Sequence, residues 1–202
     1  MKMRKTSKDR RAEILSATLD LSFEVGPDHV TTGMIAGRLG LTQPAIYKHF
    51  PKKHDVWLAV SDMLCARICK NLNNNGSADQ SPMANLRALM LGHLELISET
   101  PALPEIMVAR DPTGRLSETR RRIQSAMTDF RTALSAEFEQ ARLLGHFRDG
   151  LCTGDGVILL FGVIQSLVLR MIVTRDPALL AREGGRLLDL QLSLFGREED
   201  SA

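Results

Sequence analysis

Residues 31–53, TTGMIAGRLGLTQPAIYKHFPKK, carry two short apolar stripes on either side of a glycine turn, and few arrangements accept that pattern. Ile35, Ala36, Leu39, Leu41, Ile46 and Phe50 can share one small core. Thr32 is expected to open a first helix and Gly40 to end it. A hydroxyl satisfies free N–H groups at a helix start, and glycine accepts the left-handed turn conformation. Thr42 is expected to open a second helix, with Pro44 in its first turn, where a missing N–H does no harm. Ile46 and Phe50 lie four apart and face the same side. Gln43, Ala45, Tyr47, Lys48 and His49 are left at the start and flanks of that helix. A short helix with such flanks, braced by a partner helix, is the arrangement that enters a DNA major groove, although an ordinary helical hairpin uses the same turn.

The longer string resembles the DNA-binding domain of the TetR family of one-component bacterial regulators. The resemblance is carried by Thr31-Thr32, Ile35-Ala36, Gly40-Leu41-Thr42, the run Ala45-Ile46-Tyr47-Lys48-His49-Phe50, and Lys53. It covers roughly the first 60 of 202 residues; beyond them it rests on length and helical layout. The turn reads Gly-Leu-Thr where family members have Gly-Val-Ser or a similar step, a change expected to keep the helix cap. Thr31 and Thr32 stand where a helix start meets the DNA backbone, so their hydroxyls and the free N–H groups suit a phosphate. Thr42 belongs to the same contact set. Gln43 is the side chain best suited to read a base, since its amide can pair with adenine through two hydrogen bonds. Pro44 and Ala45 can touch a thymine methyl, and Lys48 can reach guanine or a phosphate. The resemblance assigns phosphate contacts to Tyr47, His49 and Lys53. Partial core packing is the alternative for Tyr47, and a solvated face is the alternative for Lys53.

Charge is unevenly placed. Residues 1–53 hold ten Lys/Arg against five Asp/Glu, a balance of +5, whereas the remainder stands at −3, within a net +2. A basic head on a slightly acidic body fits a phosphate-bearing partner at one end only. Lys2, Arg4, Lys5 and Lys8 form a basic arm over residues 1–8, either a solvated tail or an extra DNA contact. The opening MKMRKTSKDRR lacks the apolar run of a signal peptide. Three cysteines, Cys65, Cys69 and Cys152, argue against a disulfide framework and for a reducing cytoplasm. Cys65 and Cys69, four apart, are expected to be packed thiols.

Apolar residues recur at three- and four-residue spacing, and aromatics make up only 4% of the chain, which suits an aliphatic helical protein. A first helix is expected from about Asp9 to Val25, with Ile14, Leu15, Thr18, Leu21 and Ser22 on one stripe; Gly26-Pro27 stops it. Pro51 ends the helix-turn-helix, since the residue before proline disfavours the helical region. Further helices are expected over residues 54–72, 82–100, 103–111, 117–144, 154–174 and 177–195, with a loop over 71–82 and a turn over 145–150. The apolar run Val157–Val173 is interrupted by Gln165, Ser166 and Arg170. It reads as a buried helix rather than a membrane span, because Arg170 would be costly in lipid. The family resemblance implies that the last two helices pair with their symmetry mates.

Met63, Met90, His93, Leu94, Met107, Met127, Phe130 and Phe161 are candidates to line a cavity for a small hydrophobic effector, because methionine adapts to variable ligands. The plain alternative is that they fill the core, with His93 a satisfied core histidine. Enzymatic motifs are lacking: there is no Gly-x-Ser-x-Gly, no phosphate-binding glycine loop, no His-Glu-x-x-His and no Cys-x-x-Cys. No metal site and no cofactor are implied. Arg120-Arg121-Arg122 is expected to be a solvated face.

These readings converge on an all-α protein of about nine helices. A three-helix DNA-binding head with helix-turn-helix spans residues 1–53, and a helical bundle for ligand binding and dimerisation spans 54–202. The expected function is a cytoplasmic, non-enzymatic transcriptional repressor. It would bind a palindromic double-stranded DNA operator as a homodimer through the last two helices, away from any membrane, and be released by a small molecule. The alternative is a DNA-bound structural or protein-interaction protein without ligand sensing.

Overall fold

The computed structural model describes residues 6–75 and 80–196. Among the described residues it shows nine helices and no strand beyond an isolated bridge between Phe147 and Gly196. They are α1 (Ser7–Val25), α2 (Thr32–Leu39), α3 (Gln43–Tyr47), α4 (Lys53–Asn75), α5 (Pro82–Glu99), α6 (Ala102–Val108), α7 (Ser117–Leu143), α8 (Thr153–Thr174) and α9 (Ala178–Phe195). The chain packs as two compact units. One is Met1–Ala66 with Thr100–Gln124, and the other is Arg67–Glu99 with Ser125–Ala202.

In the first unit α1 packs against α2 and α6, and α2 against α3. α1 begins earlier than the apolar pattern suggests, because Thr6 and Asp9 form a reciprocal cap. The Asp9 amide donates to Thr6 Oγ1 at 3.1 Å, and the Thr6 amide donates to Asp9 Oδ2 at 3.1 Å. Lys8 therefore lies in a helix rather than an arm; Lys2, Arg4 and Lys5 lie outside the described residues. Thr18 and Ser22 are fully buried on the stripe with Ile14. Their hydroxyls donate back to the carbonyls of Ile14 (2.7 Å) and Thr18 (2.6 Å), which makes their burial tolerable. Arg38 grips Glu24 through two hydrogen bonds of 2.9 and 2.5 Å, joining α2 to α1.

The Arg120–Arg122 run departs from a solvated face. Arg120 donates to the carbonyls of Ile106 and Ala109, while Arg122 binds both Glu118 and Asp62; Arg121 is held by Glu118. Arg120 and Arg122 are thereby occupied in building the unit, whereas Arg121, its side chain 76% exposed, stays on the solvated face beside Glu118 of its own helix.

In the second unit α9 packs on α5 and α8. Phe138, Phe147 and Phe195 form a cluster, with the first two rings stacked at 4.4 Å between centroids. The expected turn over 145–150 is pinned to this cluster: Phe147 is buried, and the Arg148 amide donates to the Phe195 carbonyl at 2.8 Å. Gly156 lets α8 approach, since a Cβ there would stand 2.0 Å from Phe138 Cζ. The loop expected from residue 71 starts later, because Asn71 is still in α4 and donates to the Leu89 carbonyl at 3.1 Å. The thiols also differ from expectation. Cys65 is half-buried and Cys69 exposed, so only one side of that pair is packed; Cys152, also exposed, accepts from the Asp155 amide at the start of α8.

α8 corrects the expectation of a buried helix. It is long and apolar enough to cross a membrane, yet only 33% of its most apolar window is buried. The helix has two sides: Leu160 and Leu167 are inside, whereas Ile158, Leu159, Leu169 and Val173 are exposed. Arg170, which would be costly in lipid, is paired with Glu183 of α9 at 2.7 Å.

Candidate nucleic-acid interface

The helix-turn-helix forms as a tight unit because its turn is closed by backbone bonds. Gly40 adopts the left-handed conformation (φ 63°), with the Leu41 amide donating to Ala36 O and the Gly40 amide to Gly37 O. This pair of bonds satisfies the terminal carbonyls of α2. Ile35, Ala36, Ile46 and Phe50 are buried, so α3 is held by its apolar side. α3 is short, five residues, and its backbone bonding continues as turns to Phe50.

Capping departs from the sequence reading at both helices. Thr31, not Thr32, caps α2, accepting from the Met34 amide at 3.2 Å; Thr32 is the first helical residue and is buried. Thr42 stands at the cap position of α3 but makes no side-chain cap bond, so its exposed hydroxyl is not spent on the helix.

Buried Thr32 organises the polar edge of α3. Gln43 Nε2 donates to Thr32 Oγ1 at 2.7 Å, and Thr32 Oγ1 in turn lies 3.3 Å from Tyr47 Oη. Gln43 and Tyr47 thus converge on one hydroxyl, although both remain exposed. Tyr47 is 39% exposed, and its hydroxyl is bonded to Thr32 rather than free. Pro44 and Lys48 are exposed beside Gln43, and Ala45 is half-buried.

Two α1 residues that sequence reasoning passed over bear on the α3 segment. Arg11 donates to the His49 carbonyl, and its guanidinium lies 4.0 Å above the Phe50 ring. A cation on the last carbonyls of a helix is favourable, and so is one on an aromatic face. Ser7 Oγ shares a 3.4 Å hydrogen bond with His49 Nδ1. Arg10, by contrast, turns to Glu13 of its own helix. Nothing in the spacing of α1 announces these contacts, because they join residues about forty positions apart.

Lys53 is the first residue of α4 and is half-buried. Partial burial, and then the nearby Arg115 charge, hold its ammonium pKa below the ordinary lysine value. Among the described residues Lys53 has no acidic partner.

The effector candidates fall into two sets. Met63 and Met107 are half-buried in the first unit. Met90, His93, Leu94, Met127, Phe130 and Phe161 belong to the second, where the His93 ring stacks on Phe130 at 4.6 Å and Phe161 meets Phe130 edge-on at 6.1 Å. His93 is 3% exposed, and its Nδ1 has no hydrogen-bond partner, so it is not the satisfied core histidine of the plain reading. Burial pushes its pKa down to about 4, keeping the ring neutral near pH 7. Among the described residues no group of three or more His, Cys, Asp or Glu side chains could hold a metal ion.

Residues 14–60 match the model of a family described as bacterial regulatory proteins, tetR family. The nucleoid occlusion factor SlmA of Marinomonas sp. (strain MWYL1) is 20% identical over 160 residues, 79% of this chain and 81% of that protein. The ketosteroid transcriptional regulator KstR2 of Mycobacterium tuberculosis superimposes with a TM-score of 0.76 at 18% identity, over 94% of this chain and 96% of that one. The transcriptional regulator FadR of Bacillus subtilis, solved in complex with stearoyl-CoA, superimposes at 0.67 and 18% identity, over 90% and 97%. At these identities the solved structures show the shared fold.

Proposed function

We propose that this chain, which belongs to the TetR family of bacterial regulatory proteins and is a DNA-binding transcriptional regulator, acts as a dimeric repressor released by a small hydrophobic molecule. The observation that carries the reading is the construction of α3 within the matched segment. Its apolar side is locked by Ile46 and Phe50, while Gln43, Pro44 and Lys48 stand exposed on a rigid edge. Residues 1–53 are assigned to DNA and 54–202 to ligand and dimer contacts. Gln43, Pro44, Ala45 and Lys48 are assigned to bases and Thr31, Thr42, Tyr47, His49 and Lys53 to phosphate, while buried Thr32 aims Gln43 and Tyr47 instead of meeting phosphate itself.

A second copy of the chain suits the exposed side of α8. Ile158, Leu169 and Val173 are 69%, 63% and 75% exposed, and Leu190 and Leu194 of α9 are also open. Contiguous apolar surface of this kind marks an interface. Two heads of a dimer read successive major grooves only when they stand about 34–36 Å apart. An effector that binds the wider-spaced state more tightly shifts the population away from DNA. His93, Phe130 and Phe161 are assigned to that effector, and an acyl chain like that of the stearoyl-CoA bound by the FadR neighbour is the kind of apolar group this set would suit.

The test is binding of sheared genomic DNA at rising salt, followed by selection of the bound duplexes. A steep loss of affinity with salt and recovery of an inverted-repeat sequence are expected. Absence of any sequence preference would end the repressor reading. The second reading, a DNA-bound protein without ligand sensing, is favoured by the nucleoid occlusion factors among the sequence relatives. Acyl-CoA titration against the selected duplex separates the two: release supports the first, and unchanged affinity across ligand classes supports the second.

A further inference from the structure

We infer that Arg115, on the connection between α6 and α7, is a second phosphate anchor beside Lys53, so that one DNA phosphate is held from inside and outside residues 1–53 at once. The inference rests on the DNA-binding reading above and extends the contact surface to a segment that reading leaves out.

Two contacts set α4 and α7 in parallel register. Thr119 Oγ1 donates to the Trp57 carbonyl at 3.2 Å, and Arg122 meets Asp62 at 2.7 Å. Both pairs advance in the same direction along the two helices. Four residues before the first pair stand Lys53, at the start of α4, and Arg115, in the turn that leads into α7.

The backbone that carries Arg115 is fixed. The Asp111 carboxylate accepts from the amides of Arg115 (2.9 Å) and Leu116 (2.7 Å) and from Thr113 Oγ1 (3.4 Å). Gly114 supplies the positive φ (66°) that the tight turn needs, and Leu116 is buried. The Arg115 side chain itself is exposed. Among the described residues neither it nor Lys53 forms an ion pair. Two cations therefore stand near each other, neither in an ion pair among the described residues, one of them half-buried and the other on a backbone held by Asp111. Like charges so placed repel, and the nearby Arg115 charge adds to burial in weakening the hold of Lys53 on its proton. A phosphate oxygen between them would reverse that repulsion. Arg115 brings a planar fork suited to phosphate, and Lys53 a point charge.

The experiment is a salt series with a duplex of random sequence, using the full chain and the variants R115Q, K53Q, R115K and R121Q. R115Q is expected to flatten the dependence of log affinity on log salt by about one unit and to weaken all duplexes by a similar factor. R115K should restore most of the slope. R121Q should leave it unchanged, since Arg121 is held by Glu118. The melting temperature of R115Q should equal or exceed that of the parent, because a repulsion is removed; a structural role would lower it. An unchanged slope in R115Q beside a loss in K53Q overturns the inference, as does a slope loss accompanied by a lower melting temperature. Replacing chloride by inorganic phosphate at equal ionic strength should weaken binding no further; a larger loss would mean the pair takes a free anion, which also overturns it. A parent protein without salt-dependent binding would instead sink the DNA-binding reading itself.

Discussion

The edge of α3 and the outer side of α8 are both exposed, and they are built in opposite ways. On α3 the polar side chains are tied before any partner arrives: Gln43 to Thr32, Thr32 to Tyr47, His49 to Ser7, and the His49 carbonyl to Arg11. On α8 the exposed side chains are Ile158, Leu159, Leu169 and Val173, which have no directional chemistry. A surface of oriented donors and cations is prepared for one register on an anionic partner. A surface of branched aliphatics gains only by removal from water, and a second copy offers the same side in return. In the proposed function the first surface would supply specificity, and the second the spacing on which that specificity depends.

The largest effect should come from breaking the apolar side. Leu169→Asp places a charge where the proposed dimer excludes water, at a cost of about 3–5 kcal/mol per uncompensated buried charge. Sedimentation should then report a folded monomer that retains weak general DNA binding and loses operator binding. A dimer that survives this substitution would move the interface elsewhere.

Next in size is the buried histidine. The pKa of His93 in the folded chain, about 4, lies below its unfolded value of 6.5. Between those two pH values the unfolded chain takes up a proton that the folded chain refuses. Stability is therefore complete above about pH 6.5 and declines as pH falls toward 4, by about 3 kcal/mol in total. Urea titrations across this range check the slope, and His93→Phe should abolish it. A persisting slope in the variant would assign the effect to other groups.

Smaller effects are expected within the head. Gln43→Ala should reduce preference for the selected operator by about 1–3 kcal/mol and leave general binding nearly intact. Because Gln43 is bonded to Thr32 in the free protein, Thr32→Val sharpens the case: it frees the amide but removes the hydroxyl that aims it. If the amide needs aiming, Thr32→Val should lose operator preference as well, read by competition against random duplex. Smallest is Lys53→Ala, expected to flatten the salt slope by about one unit with no change in preference. Equal behaviour of the Gln43 and Lys53 variants would dissolve the division between reading and anchoring.

Much of the helical layout was legible because it depends on local rules. The breaks at Gly26-Pro27, Gly40 and Pro51, and the inward spacing of Ile46 and Phe50, need only steric preference and periodicity. What escaped was pairing between distant residues. Arg11 fell within the expected first helix, but nothing in that pattern placed it over Phe50. Arg120 and Arg122 resembled a solvated run until carbonyls and Asp62 were placed beside them. The apolar run of α8 was equally misleading, since periodicity shows that a residue is apolar but not whether its own chain covers it.

The sequence by itself determined that this chain is helical, where its helices break, and that the basic stretch before residue 54 carries a helix-turn-helix of a recognisable family. The first two follow from interactions within a few residues; the third follows from resemblance to a known family. Only the tertiary structure decided that Thr32 is a buried hub, that His93 Nδ1 is left without a partner, that one side of α8 is uncovered, and that Arg115, before α7, lies near Lys53. Those facts depend on which surfaces meet, and that is set by the packing of helices far apart along the chain, where no local pattern reaches.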